Sequence, residues 1–170
     1  MPEAAGQFFC EGLPYLVPLI DKLQINDPRV EQHTININDK NYHYILGNPS
    51  SGSPIDTIFL IHGCPDLGHG WRYQVPLLLS LNYRVVVPDM LGYGKTDCPE
   101  DLSQYAMKSM VRDTAELAAH IVGENQQIIL GGHDWGGQRC VARCSVAATA
   151  SQDYFQRLDP VYSSKLGVAL

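Results

Sequence analysis

The chain has 170 residues, of which 45% are hydrophobic and 18% charged, and its formal net charge is −6. This composition predicts one globular domain with a sizeable core, and the acidic balance without a Lys/Arg cluster excludes a nucleic-acid binder. No apolar run could span a bilayer, no signal peptide is evident, and five irregularly spaced cysteines predict reduced thiols, so we expect a cytoplasmic protein without metal or cofactor.

The first predicted elements form an edge hairpin behind an N-terminal extension, residues 1–32. A short helix is expected over Val17–Leu23. His33–Asn38 alternates apolar and polar residues, Asp39–Asn41 supplies a turn, and Tyr42–Leu46 is the predicted returning strand. Such alternation around a short polar turn is typical of a β-hairpin at the edge of a sheet.

Strands and helices alternate after the hairpin. The predicted segments are strand Ile55–Ile61, helix Gly70–Leu81, strand Tyr83–Pro88, helix Ser103–Val122, strand Gln127–Gly131 and helix Gln138–Ala150. This alternation predicts an α/β domain over residues 33–150, with a mostly parallel sheet and flanking helices. Residues 151–170 form an atypical tail without a strong apolar strand.

The motif that opens the last predicted helix carries the clearest chemistry. Gly132 and Gly136 flank Asp134 in Gly-x-Asp-x-Gly, which is the pattern of a nucleophile elbow with aspartate where an esterase carries serine. Small residues are needed because a sharp strand-to-helix turn strains the central backbone and crowds its neighbours. The following helix N-terminus favours an anion. The alternative is an incidental acid in a glycine-rich loop, since short motifs recur by chance.

Two earlier motifs strengthen the case for an elbow. The sequence His-Gly-Cys-Pro occupies residues 62–65, and Pro-Asp-x-x-Gly-Tyr-Gly-x-Thr-Asp occupies residues 88–97. Together with Gly-His-Asp-Trp-Gly-Gly at 132–137, they resemble the motifs of soluble epoxide hydrolases of the α/β-hydrolase family, over residues 33 to 137. The resemblance implies a partial α/β-hydrolase fold, in which an antiparallel hairpin leads into a mostly parallel sheet that is truncated after the elbow.

The resemblance also implies roles for individual residues. Asp134 is the expected nucleophile, and the backbone N–H groups of Cys64 and Trp135 are the expected oxyanion hole. His62 braces the loop, and the Cys64–Pro65 peptide is expected to be cis. The remaining motif positions with a structural role are Gly63, Pro65, Gly132, His133, Gly136 and Gly137.

An aspartate nucleophile suits displacement at a saturated carbon. Its carboxylate is already ionised at neutral pH and can attack an epoxide carbon, or a carbon that bears a halide, to leave an alkyl ester. In family members, tyrosines of a cap domain protonate the departing alkoxide. Water then attacks the ester with the help of a histidine that follows the nucleophile in the chain.

The sequence departs from the family after the elbow. All six histidines precede Asp134, and residues 138–170 offer no counterpart of the cap tyrosines or the last strands. We therefore expect an N-terminal fragment, produced by an altered gene model, a splicing variant or a frameshift. The alternative is a divergent hydrolase that recruits its base from elsewhere.

Three functions stay open. The first is epoxide hydrolysis, incomplete or inactive in this chain. The second is haloalkane dehalogenation, although that enzyme type commonly presents Asn at the position of Cys64. The third is a non-catalytic role, with self-association through exposed sheet edges. The expected partner is a small-molecule epoxide or alkyl halide.

Other motif interpretations fail on spacing. A P-loop that ended at Thr96 would need glycine at Asp89, and the dinucleotide fingerprint lacks its later glycine. The spacing of His62, His69 and His133 matches no metal-ligand pattern. The absence of serine at the elbow excludes a serine esterase.

Overall fold

The computed structural model of the protein describes residues 21–124 and 126–140. Most of the expected helices Val17–Leu23 and Gln138–Ala150 lies outside these residues, as does the tail 151–170. Residues 21–23, the described end of the first expected helix, are not helical. Residues 138–140, the described start of the second, are helical.

The described part of the chain contains five strands, two complete α-helices and the beginning of a third helix, besides two 3-10 segments and the loops. The strands are β1 (Val30–Ile37), β2 (Lys40–Gly47), β3 (Thr57–Ile61), β4 (Arg84–Pro88) and β5 (Ile129–Gly132), and the complete α-helices are α1 (Gln74–Ser80) and α2 (Met107–Val122). Residues 135–140 are helical and follow β5 directly; they are called the elbow helix below. No helix among the described residues is long and apolar enough to cross a membrane.

The predicted hairpin is confirmed, with a different turn. β1 pairs antiparallel with β2 at the edge of the sheet, and Ile37 lies opposite Lys40. The turn consists of Asn38 and Asp39, with φ of 50° and 62°, instead of the predicted Asp39–Asn41. Two consecutive residues with positive φ match the right-handed twist of paired strands, and Asn and Asp tolerate that conformation.

The five strands form one mixed sheet in the order β1-β2-β4-β3-β5. β2 runs antiparallel to β4, whereas β4, β3 and β5 are mutually parallel. The predicted combination of a hairpin with a mostly parallel sheet is thus confirmed. Because β3 and β5 are parallel neighbours with Ile61 opposite Gly132, the loops that follow them leave the sheet side by side.

The two predicted helices begin later than expected, each after a 3-10 segment. Gly68–Tyr73 is a 3-10 helix, and α1 begins at Gln74, which places Pro76 in the first turn, where its missing N–H costs nothing. Leu102–Tyr105 is likewise a 3-10 helix, and its first turn is capped by the side chain of Asp101, which accepts from Ser103 N over 2.9 Å.

Both faces of the sheet are covered. In β3, Phe59 and Ile61 pack against the face that α2 covers, whereas Ile58 and Leu60 pack against the face that α1 covers. A strand that is buried on both faces has a continuous apolar sequence, which explains the apolar run from Ile58 to Ile61 at the end of the predicted strand. The core therefore holds β3, and the loop that follows it, in a fixed position.

A buried ion pair ties the hairpin to α2. Lys40 Nζ lies 2.7 Å from Asp113 Oδ2, and Asp113 is completely buried. The Tyr42 hydroxyl donates to the same carboxylate over 2.8 Å, and Asn38 Nδ2 donates to its other oxygen over 2.8 Å. These contacts satisfy a charge that burial would otherwise make very costly.

Candidate active site

The elbow has the strained geometry that its sequence predicts. Asp134 has a φ of 53°, and the elbow helix begins at the next residue. A Cβ atom on Gly132 would lie 2.5 Å from the carbonyl carbon of Gly136, and one on Gly136 would overlap the carbonyl oxygen of Ile61. Glycine is therefore required at both positions, because real Cβ atoms do not approach backbone atoms this closely.

The loop after β3 lies directly against the elbow. Cys64 N donates a hydrogen bond of 2.9 Å to Asp134 Oδ2. A Cβ on Gly63 would lie 2.5 Å from the same oxygen, so the close approach of the two loops depends on glycine there. The Cys64–Pro65 peptide bond is cis, as the resemblance implied. The backbone N–H of His133 donates to Ile61 O over 3.2 Å and extends the pairing of β3 and β5 into these loops.

Backbone donors hold the Asp134 side chain as a carboxylate. The N–H groups of Cys64 and then Trp135 lower the pKa of Asp134, and the positive potentials of His133 and Arg139 act in the same direction. Asp134 and Cys64 are both exposed in the described part of the chain, and Trp135 is 49% exposed. The group is therefore ionised at neutral pH and open to a reactant.

His62 is buried between the loops that follow β3 and β4. Its Nδ1 lies 2.8 Å from Gly63 O, and its Nε2 accepts a hydrogen bond of 2.9 Å from Met90 N. The side chain is 1% exposed, and burial lowers its pKa. Both contacts suit the neutral ring, in which Nδ1 carries the proton.

Two residues without a predicted role also lie at the site. The ring of Tyr93 meets that of His62 edge-on, with centroids 5.2 Å apart, and its hydroxyl hydrogen-bonds the Cys64 thiol, which raises the pKa of Tyr93. Arg139, on the elbow helix, is buried, which lowers its pKa, and it contacts Met110 Sδ over 3.4 Å. The motif at 88–97 could have indicated Tyr93, whereas no sequence signal indicates Arg139.

The structure thus brings together residues of all three motifs, since Met90 and Tyr93 of the segment 88–97 contact His62. The segments 62–65 and 132–137 face each other at the carboxyl ends of β3 and β5. Two other histidines are engaged elsewhere: the ring of His33 contacts Glu31 over 3.0 Å, and His43 contacts Asp89 over 2.8 Å. The site consists of one carboxylate, adjacent backbone donors and an exposed thiol.

Comparison with known proteins places this arrangement in a family. Residues 56–156 match the α/β hydrolase fold. An epoxide hydrolase of Neurospora crassa is 47% identical over 121 residues, which cover 68% of this chain and 35% of that protein. Epoxide hydrolase 2 of Siraitia grosvenorii is 38% identical over 108 residues, which cover 64% of this chain and 32% of that protein.

Solved structures agree with these sequence matches. The crystal structure of an epoxide hydrolase from Vigna radiata superposes on this chain with a TM-score of 0.61 at 32% identity. The match covers 69% of this chain and 34% of the Vigna radiata chain. The chain belongs to the α/β-hydrolase fold family. Within it, the relatives and the solved structure described above carry the name epoxide hydrolase, and the chain spans about a third of the length of the curated relatives it matches.

Proposed function

We propose that Asp134 is the nucleophile that opens an epoxide ring. The observation that carries this proposal is the exposed carboxylate at a strained elbow, with one oxygen 2.9 Å from the backbone nitrogen of Cys64. Such a group is ionised without the help of a base and is fixed in place before a substrate arrives. The relatives that carry the name epoxide hydrolase support an epoxide as the electrophile.

The first step forms an ester. One carboxylate oxygen of Asp134 bonds to an epoxide carbon, the bond from that carbon to the ring oxygen breaks, and the ring oxygen takes a proton from an acid or from water. The product is a hydroxyalkyl ester of Asp134. Release of ring strain favours this step, and the two backbone donors that hold the carboxylate keep it aligned.

The second step would release a diol. Water adds to the ester carbonyl of Asp134, the negative charge on the carbonyl oxygen is stabilised by the N–H groups of Cys64 and Trp135, and the alcohol leaves with a proton. A base must take a proton from the attacking water. In this proposal the oxyanion hole acts in the second step, after the nucleophile has become an ester.

We infer that the ester persists in this chain. All six histidines precede Asp134 in the sequence, and the rings of His33, His43 and His62 are engaged with other groups. No hydrogen bond joins a histidine ring to Asp134 among residues 21–124 and 126–140, and attack of water on an ester that has no base beside it is slower by about 10²–10⁴-fold. The chain would then react once and stop.

Incubation with styrene oxide tests the proposal. We expect one adduct of the epoxide mass per chain, mapped by peptide mass spectrometry to Asp134 and stable over hours. The D134N variant should not form it, whereas E116Q, which removes an exposed carboxylate of α2, should behave like the wild type.

The exposed thiol of Cys64 needs a control of its own, because thiols also react with epoxides. The C64S variant removes the thiol and keeps the backbone N–H that holds Asp134. Adduct formation on Asp134 in C64S supports the proposal. An adduct that maps only to Cys64, and that D134N still forms, overturns it.

A further inference from the structure

We propose that Tyr93 is the acid that protonates the ring oxygen of the epoxide while Asp134 attacks the ring carbon. This inference rests on the proposed function of Asp134 and supplies the proton donor that ester formation needs. The acids that the family resemblance implies are tyrosines of a cap domain, whereas Tyr93 lies in the loop after β4. Tyr93 would be a catalytic residue, because its hydroxyl would contact the reacting oxygen.

One residue joins Tyr93 to the candidate nucleophile. The backbone N–H of Cys64 donates to Asp134 Oδ2 over 2.9 Å, and the thiol of the same residue hydrogen-bonds the hydroxyl of Tyr93. Within Cys64, only the Cα and Cβ atoms separate the nitrogen from the sulfur. The phenol and the carboxylate therefore contact the same exposed residue, and each lies within reach of the charge of the other.

An epoxide is small enough to contact both groups at once. Attack places the carboxylate oxygen about 3–3.5 Å from the epoxide carbon, and a hydroxyl donor lies about 2.7 Å from the oxygen that it protonates. Because the ring oxygen is bonded to the attacked carbon, the nucleophile and the acid must lie within about 7–8 Å of each other. A separation bridged by the backbone N–H and the thiol of one cysteine is of this order.

The backbone and the ring of Tyr93 are both held in place. Tyr93 N donates to Met90 O over 2.9 Å, and Thr96 N donates to Tyr93 O over 3.1 Å. The ring meets the buried ring of His62 edge-on, with centroids 5.2 Å apart, and packs against the core, although Tyr93 itself is half-buried. The core therefore fixes the ring whose hydroxyl reaches Cys64, and little ordering is needed when an epoxide arrives.

The hydroxyl of Tyr93 keeps its proton until the ring opens. The hydrogen bond with Cys64, and then burial, raise the pKa of Tyr93 above its ordinary value of 10.0, so the phenol is protonated at neutral pH. As the bond from carbon to oxygen breaks, the ring oxygen becomes an alkoxide, which is a far stronger base than a phenolate, and takes this proton. The negative charge thus moves from Asp134, now an ester, to Tyr93, and a proton from water restores the phenol.

Two probes of the full chain separate an acid from a residue that only shapes the site. Styrene oxide needs a proton on its departing oxygen, whereas benzyl bromide alkylates a carboxylate and releases bromide, which needs none. All variants carry C64S, so that no thiol at the site competes. Y93F removes the hydroxyl and keeps the ring against His62. The rate of ester formation on Asp134 is measured with each probe by peptide mass spectrometry.

We expect Y93F to slow ester formation with styrene oxide by roughly 10²-fold and to leave the rate with benzyl bromide unchanged. Y105F is the matched control, because its hydroxyl contacts a thiol elsewhere, that of Cys98, over 3.4 Å, and it should leave both rates unchanged. Equal slowing with both probes, or no slowing with styrene oxide, overturns the proposal. Selective slowing in H133N instead of Y93F would assign the acid to His133 and overturns it too.

A second variant decides if Y93F does not fold. Tyr93→3-fluorotyrosine keeps the hydroxyl and makes it a stronger acid, so it should speed the reaction with styrene oxide alone, and unchanged rates with both probes overturn the proposal. Reaction of the C64S chain at Asp134 with benzyl bromide but not with styrene oxide would overturn this proposal and leave Asp134 as a nucleophile. Reaction with neither probe would overturn the proposed function itself.

Discussion

The backbone nitrogen of Cys64 and the carboxylate of Asp134 lie 2.9 Å apart, although 70 positions separate the two residues. They meet because β3 and β5 are parallel neighbours whose carboxyl ends lie at the same edge of the sheet. A hydrogen bond from a backbone N–H favours the charged form of a carboxyl group. The strand order thus brings a backbone donor to this carboxylate and favours its ionised form.

The pH dependence of ester formation should reflect this contact. Because the pKa of Asp134 is lowered below its ordinary value of 3.8, the carboxylate is fully present above that value and is lost only as the pH falls through the lowered pKa. We expect the rate of adduct formation with styrene oxide to be constant between about pH 5 and 8. Mass spectrometry at each pH, with D134N as the blank for acid-catalysed side reactions, checks this. A rate profile that falls to half its plateau value above about pH 5 would contradict the lowered pKa of Asp134.

The two glycines after Trp135 should respond oppositely to alanine. A Cβ at Gly136 overlaps the backbone of Ile61, so G136A should destabilise the protein by about 1–3 kcal/mol. A Cβ at Gly137 would have its nearest contact at 3.6 Å, and this residue is helical, so G137A should be neutral or more stable by up to about 1 kcal/mol. Urea unfolding measures both. Equal effects would mean that the elbow does not pack against β3.

Removal of one partner of the buried Lys40–Asp113 ion pair should destabilise the protein more than replacement of both partners by apolar residues. D113N leaves the ammonium group of Lys40 buried without a counter-charge and should cost about 3–5 kcal/mol of unfolding free energy. The double variant K40M/D113L should recover much of this loss. E116Q, in an exposed pair with a 4.0 Å separation from Arg112, should change stability by less than about 0.5 kcal/mol. A small effect of D113N would show that solvent reaches this charge.

Acid should destabilise the protein in part through His62. Burial lowers the pKa of His62 below 6.5, so the unfolded chain binds the proton first, and stability falls as the pH drops from about 6.5 toward the folded-state pKa. The charged and titratable groups that face this ring are Asp89, Asp66, Arg139 and Tyr93. Urea unfolding between pH 7.5 and 5.5 should show a smaller loss in H62N than in the wild type. An equal loss would assign the effect to another group.

Local sequence patterns predicted the elements and the elbow, because glycine spacing and apolar periodicity depend on near neighbours. Such local patterns were enough to predict the hairpin, the strands and the need for glycine at Gly132 and Gly136. The turn at Asn38–Asp39 was missed because it differs from the prediction by the register of the two strands. The later starts of α1 and α2 were missed because a 3-10 segment precedes each helix, and apolar spacing over one turn does not separate the two helix types. The contacts of His62 with Met90 could not be predicted, because they require the strand order.

The position of β5 has a consequence for biosynthesis. The segments β1 to β4 and α2 leave the ribosome before β5, and they contain most of the core between the sheet and α2. While β5 is still being translated, the edge of β3 that it will occupy has no strand in place, and an open edge invites pairing with other chains. Only the docking of that late strand brings Asp134 to Cys64. In a nascent chain, the contact between Asp134 and Cys64 N therefore forms in the same event that covers this edge of β3.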